Sequence, residues 1–308
     1  MNALDPGELA RLSSMTLRAR VIVEGAFAGL HHNPNLGAAI EFAEHKEYSP
    51  GDEIRRIDWK VVARQDRYYV KQYEDETEMR TLLVLDASAS MGYGRGPVSK
   101  LTYAGYLAAA LAYLTARQGD PAGLMVYDGH LRRYLPPSSR GGHVRELLGV
   151  LEDVTPAGET QLASALERVA DLAQRRSLVV VFSDLLDAEA RETAPRTRES
   201  AVGPAAEALA QLALRGHDVV LFHVLDPDEI DLPFDDLTQF LAMEPGDTRN
   251  VVVDANELGA SFRRESEAFR ARWRQTCLQA GIEYRLVTTQ EAPAQVLRTF
   301  IGGRRRKG

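Results

Sequence analysis

TLLVLDASAS, residues 81–90, decides the fold of this chain. A short apolar run that stops at an acidic residue, Asp86 here, is the pattern of a buried strand ending where the chain meets solvent. Ser88 and Ser90 then alternate with alanine on the loop that follows. Downstream, SKLTYAGYLAAALAYLTARQG (99–119) predicts a helix capped by Ser99 and stopped at Gly119. Leu101, Ala104, Leu107, Ala108, Leu111 and Leu114 recur there at helical spacing. AGLMVYD (122–128) predicts the next strand, and HLRRYLP (130–136) an edge strand. GGHVRELLGVLEDV (141–154) and TQLASALERVADLAQ (160–174) predict helices.

The alternation continues to the C-terminus. SLVVVFSDL (177–185) is a second buried strand, PAAEALAQLALRG (204–216) a helix and HDVVLFHVLD (217–226) a strand. After an irregular segment come NVVVD (250–254), a long helix over about 258–281, the strand IEYRLVTT (282–289) and a final helix over about 293–302. Apolar strands separated by amphipathic helices predict an α/β fold, a doubly wound and mostly parallel sheet covered on both faces. LDAEARETAPRTRESAVGP (186–204) is charged and poor in large apolar residues, and predicts a mobile loop near the carboxyl edge of that sheet.

Upstream the pattern differs. LARLSSMTLRARVIVEGAFAGL (9–30) predicts a helix of loose apolar period, followed by the turn-rich HHNPNLG (31–37). From Ile40 to about Tyr73 short alternating segments, a Pro-Gly-Asp turn and many aromatics predict a small β-rich module. The expected organisation is an N-terminal helix and accessory module over 1–79, the main domain with C-terminal extensions over 80–302, and a basic tail, 303–308.

Composition bounds the function. With 37 Lys and Arg against 44 Asp and Glu, the net charge of -7 argues against a general nucleic-acid binder. The single Cys277 excludes an intramolecular disulfide and a cysteine-rich metal site. No run of about 18 apolar residues exists to span a bilayer, and the N-terminus has no signal-like core, so a cytoplasmic location is expected.

Open α/β sheets bind ligands outside the carboxyl ends of their strands. Asp86 with Ser88 and Ser90 lies at one such end, Asp184 at another, and Thr160 at the start of a helix. Two carboxylates and three hydroxyls are hard oxygen donors that suit Mg²⁺, with Mn²⁺ as the alternative. D-x-S-x-S alone is a weak motif; its place after a buried strand gives it force. The competing reading makes Thr160 a helix cap and the two aspartates ordinary strand-end carboxylates.

The five residues resemble the metal-ion-dependent adhesion site of von Willebrand factor A domains. That resemblance implies that Ser88, Ser90 and Thr160 touch the metal directly or through water. It also implies that Asp86 and Asp184 act largely through bound water, and that a partner's Glu or Asp completes the octahedron. EFAEHKEYSPGDEIRRIDWKVVARQDRYYVKQYEDE (41–76), running into LVLDASASM, is more specific. With RQGD, GHDVVLFHVLDPDE, LPF and IEYRLVTT in the same order, it resembles the DUF58 family of bacterial and archaeal proteins, in its short soluble class. One departure is GETQL (158–162), where relatives usually carry an aspartate after the threonine and this chain has Gln161. The resemblance implies a partner role beside MoxR-type AAA+ ATPases, in chaperone-like assembly or cofactor insertion.

The basic residues Arg55, Arg56, Lys60 and Arg64 are candidates for a partner-docking face beside the metal; the alternative is that they pair internally with the module's acids. An enzymatic reading finds less support. An aspartate-nucleophile phosphatase wants a second carboxylate where Ser88 stands, no P-loop is present, and the histidines are scattered. The sequence therefore predicts no catalytic residue and a metal-dependent protein-binding module. The alternatives are a metal-dependent phosphoester hydrolase and a structural adaptor that binds through the basic face without metal.

Overall fold

The apolar runs of the sequence become the two faces of one sheet. The computed structural model describes residues 3–28, 45–47, 69–71, 79–173, 175–186, 203–234, 236–245 and 250–304. In chain order the elements are α1 (Pro6–Ala10), α2 (Met15–Ala28), β1 (His45–Glu47), β2 (Tyr69–Lys71), β3 (Arg80–Asp86), α3 (Lys100–Arg117), β4 (Ala122–Tyr127) and β5 (Leu131–Ser138). Then follow α4 (His143–Asp153), α5 (Leu162–Leu172), β6 (Ser177–Ser183), α6 (Gly203–Leu214), β7 (Asp218–Leu225) and the short α7 (Asp228–Asp231). β8 (Leu237–Leu241), β9 (Asn250–Asp254), α8 (Ala255–Gln279), β10 (Glu283–Thr288) and α9 (Pro293–Arg304) complete the described chain.

The main sheet runs β10-β7-β6-β3-β4-β5. All its pairings are parallel except that of the edge strand β5 with β4. This is the doubly wound α/β fold that the sequence predicts. Side chains alternate across it, as the period of two requires. Leu83, Leu85, Leu124, Val126, Val180, Phe182, Val220 and Phe222 face one core, shared with α2, α3, α4 and α9. Leu82, Val84, Met125, Val179, Val181, Val219 and Leu221 face the other, shared with α5, α6 and α8. Each of these side chains is worth about 1.5–3 kcal/mol when fully removed from water, so both faces have to be covered.

The N-terminal boundary differs from the sequence reading. Contacts divide the chain into Met1–Ala28 with Met79–Gly308, and Gly29–Glu78. Residues 3–28 thus belong to the sheet unit. The expected single helix is two: α1 is closed by a reciprocal capping box in which Asp5 and Glu8 bond each other's backbone N–H at 2.9 and 2.8 Å. Leu9, Met15, Ala19, Ile22, Val23 and Ala26 are buried in the α3–α9 core. Arg298 ties α9 to α2 by donating to the carbonyls of Gly25 and Ala26 at 2.9 and 3.1 Å.

In the other unit, β1 and β2 pair antiparallel with His45 opposite Lys71 and Glu47 opposite Tyr69. Arg55, Arg56, Lys60 and Arg64 lie outside the described residues, as does most of the proposed loop after β6. The segment read as irregular between β7 and β9 holds α7 and the strand β8, which pairs antiparallel with β9.

Candidate metal centre at the switch point of the sheet

β3 is where the strand order reverses. Chain connections lead from it to β4 and β5 on one side, and to β6, β7 and β10 on the other. The crevice over the carboxyl ends of β3 and β6 is therefore the topological switch point, the usual ligand site of an open sheet. Asp86 ends β3 and Asp184 follows the last residue of β6.

The loop after β3 is built around the Asp86 carboxylate. Oδ1 accepts the Ser88 backbone N–H at 2.9 Å, and Oδ2 accepts the Ser183 hydroxyl at 2.7 Å. The hydroxyls of Ser88 and Ser90 lie 3.1 Å apart, at the entry to the 3₁₀ turn Ala89–Gly92. The loop carrying Thr160 is stitched to this one by two backbone bonds, Ala157 N–H to the Ala87 carbonyl at 2.8 Å and Ala89 N–H to the Gly158 carbonyl at 3.0 Å. Gly158 sits at φ +75, and a Cβ there would stand 2.9 Å from the carboxylate of Asp128, directly after β4, so the approach of the Thr160 loop to that strand end needs glycine.

All five candidate ligands are buried. Thr160 Oγ1 is fully enclosed and has no hydrogen-bond partner among the described residues. It does not cap a helix, because the N-cap of α5 is Gln161 and carries no side-chain capping bond. A buried hydroxyl without a partner costs free energy.

Three further side chains, none of them singled out by the sequence, complete the centre. Lys100, fully buried, donates from Nζ to Asp184 Oδ2 at 2.7 Å and to Glu229 Oε1 at 2.5 Å. Glu229 stands on α7, and its Oε2 accepts the Asp226 N–H at 2.8 Å. His223 bridges the Asp184 carbonyl through Nε2 at 3.1 Å and the Tyr284 hydroxyl through Nδ1 at 2.7 Å. Since a carbonyl only accepts, Nε2 carries the proton and Nδ1 receives the Tyr284 O–H, which is the neutral tautomer. Burial pushes the His223 imidazole down to about 3, in keeping with that assignment. Both ring nitrogens are taken, so His223 is a structural prop.

The two aspartates are driven apart electrostatically. Burial, reinforced by the nearby Asp184 charge, pushes Asp86 up to about 7 against the pull of its Ser183 and Ser88 hydrogen bonds. Burial raises Asp184 as well, but the charge and hydrogen bond of Lys100 outweigh it and hold that carboxyl below its ordinary value. Lys100 in turn stays an ammonium: burial opposes its charge, and Asp184 and Glu229 overcome it. Burial likewise raises Glu229 above its ordinary value, against the pull of Lys100.

The donor set is hard oxygen throughout, suited to Mg²⁺ or Mn²⁺. Among the described residues no group of three or more His, Cys, Asp and Glu side chains is arranged to hold a metal, so a zinc-type set is not assembled there. Beside the centre opens a cavity of about 600 Å³. Ser90 and Asp184 line it together with Leu225, Phe240, Phe262 and Phe269. Cys277 packs in the second core, its thiol pushed up to about 12 by burial, which makes it a packing residue.

Comparison with known proteins places the chain. Residues 44–272 match the family model described as protein of unknown function DUF58. The chain belongs to the DUF58 family. The uncharacterised proteins Mb1516 of Mycobacterium bovis and Rv1480 of Mycobacterium tuberculosis are each 29% identical over 308 residues, covering 98% of this chain and 91% of theirs. Among solved structures, an aerotolerance-related membrane protein from Bacteroides fragilis aligns at a TM-score of 0.48 with 18% identity, over 75% of this chain and 100% of that one. The VWA domain of SpRpn10 aligns at 0.38 with 11% identity, over 71% and 93%. Among the described residues of this DUF58 chain, no helix is long and apolar enough to cross a membrane.

Proposed function

We propose that this DUF58 protein is a non-catalytic protein-binding module that works through a divalent cation, Mg²⁺ or Mn²⁺. Asp86, Ser88, Ser90, Thr160 and Asp184 would hold the ion, and a Glu or Asp of a partner protein would complete its shell. The observation that carries this reading is the enclosed Thr160 Oγ1, without a hydrogen-bond partner among the described residues, beside a loop that holds the Asp86 carboxylate and the Ser88 and Ser90 hydroxyls. The buried carboxyl groups of Asp86 and Asp184 at adjoining strand ends support it as well. When bound, the ion supplies a Lewis-acidic attachment point for a carboxylate.

The protein's own residues do the positioning. Ser183 and the Ser88 N–H fix the Asp86 carboxylate, and His223 fixes the backbone at Asp184. A hydrolase would need an acid–base group next to a nucleophile. Position 88 holds a serine, and the buried imidazole of His223 is committed on both nitrogens. The partner class follows from the family resemblance: a MoxR-type AAA+ ATPase.

The test is binding of the purified protein to a purified MoxR-type ATPase, in Mg²⁺ and in EDTA, for wild type and Asp86→Ala. Binding lost in EDTA and in the variant supports the proposal. Binding indifferent to both removes the metal from the account.

A further inference from the structure

Lys100 is unusual for its position. It is the first residue of α3, directly after the Ser99 cap, where the helix macrodipole disfavours a cation. Burial disfavours it further. A lysine held there against both effects must be held by anions, and the structure supplies two: Asp184 at 2.7 Å and Glu229 at 2.5 Å. The Tyr93 ring lies 6.0 Å from the same ammonium.

Glu229 is itself anchored. Its Oε2 accepts the Asp226 N–H, and its carbonyl accepts the Ser266 hydroxyl from α8 at 3.1 Å. Asp184 is anchored by the Leu186 N–H on Oδ1 at 3.1 Å, and only its Oδ2 is given to Lys100. The ammonium therefore stands between a candidate metal ligand and a fixed carboxylate outside the ligand set.

Resting on the metal-site reading above, we propose that Lys100 is the resident counter-cation of the centre. It neutralises Asp184 while no divalent ion is bound, and is retained by Glu229 when one is. A divalent cation drawn to Asp184 competes with the ammonium for that carboxylate, because two cations beside one carboxylate repel across a short, poorly screened distance. Lys100 thus sets the affinity of the centre below that of the same oxygens alone. It also keeps the metal-free protein folded, since an unpaired buried carboxylate is costly. Glu229 gives the displaced charge a place to stay.

The test is a Mn²⁺ titration of the full chain followed by electron paramagnetic resonance, with thermal unfolding in parallel, for wild type, Lys100→Met, Lys100→Arg, Glu229→Gln and Asp86→Ala. Lys100→Met is expected to lower the metal-free melting temperature and to tighten Mn²⁺ binding by roughly tenfold or more. Lys100→Arg, which keeps the charge, is expected not to tighten it. Glu229→Gln leaves the ammonium to Asp184 alone and is expected to weaken Mn²⁺ binding by roughly tenfold. If Lys100→Met does not fold, Glu229→Gln decides. Unchanged affinity in Lys100→Met or in Glu229→Gln, with wild-type binding that Asp86→Ala abolishes, overturns the role of Lys100 and leaves the metal site standing. No Mn²⁺ binding by any variant overturns both.

Discussion

Replacing Thr160 by valine is expected to act in opposite directions on the protein with and without its cation. Valine keeps the shape of threonine and exchanges Oγ1 for a methyl. That oxygen is enclosed and has no hydrogen-bond partner among the described residues, and such a hydroxyl costs roughly 1–3 kcal/mol. Removing it is expected to stabilise metal-free protein by about 1 kcal/mol, a rise of roughly 2–4 °C in melting temperature for a domain of this size. With Mn²⁺ the order inverts. A ligand at a hundred times its dissociation constant stabilises the native state by about 2.7 kcal/mol; wild type is expected to gain this and Thr160→Val little of it. The assay is urea or thermal unfolding of both proteins in EDTA and in saturating Mn²⁺. A variant less stable than wild type in EDTA would show that the hydroxyl is satisfied within the fold. A variant that gains as much as wild type from Mn²⁺ would remove Thr160 from the ligand set.

Other consequences are as direct. His223 has its folded pKa depressed to about 3 by burial, against an ordinary value near 6.5. Between those values the unfolded chain takes up a proton that the folded one refuses, so its contribution to stability is complete above about pH 6.5 and is lost as pH falls toward 3. Imidazole NMR is expected to show His223 neutral at pH 5; titration near pH 6.5 would contradict its placement. Ile22 is buried with α3 and α9, so Ile22→Ala is expected to destabilise the sheet unit by about 2–5 kcal/mol in urea unfolding. A cost under about 0.5 kcal/mol, typical of surface positions, would detach α2 from that unit.

Much of the fold is legible because β3, β4, β6 and β7 are buried on both faces and read as almost unbroken apolar runs. α3 announces itself through Ser99, whose hydroxyl does accept the Thr102 N–H at 3.2 Å. α2 is harder to place. It packs against both α3 and α9, so its apolar residues spread beyond one stripe and the period blurs. β8 alternates between half-buried and exposed, with Leu237 and Leu241 facing solvent, and its apolar–polar pattern points to no core. Of the candidate centre, Asp86, Ser88, Ser90 and Asp184 are readable from strand ends. Thr160 depends on a loop-to-loop contact through Ala87 and Gly158 that no local pattern encodes. Lys100 left one signal, a cation in the first turn of a helix. Its partners Asp184 and Glu229 are 84 and 129 residues away in sequence, and only the fold brings them to it.

Asp86, Ser88, Ser90, Thr160 and Asp184 are proposed to surround a divalent cation. A crystal grown or soaked in Mn²⁺, with anomalous scattering measured to locate the ion, tests this most directly. One strong peak is expected among the hydroxyls of Ser88, Ser90 and Thr160, absent from Asp86→Ala crystals treated alike. No peak at the switch point, or a peak held by other residues, would contradict it.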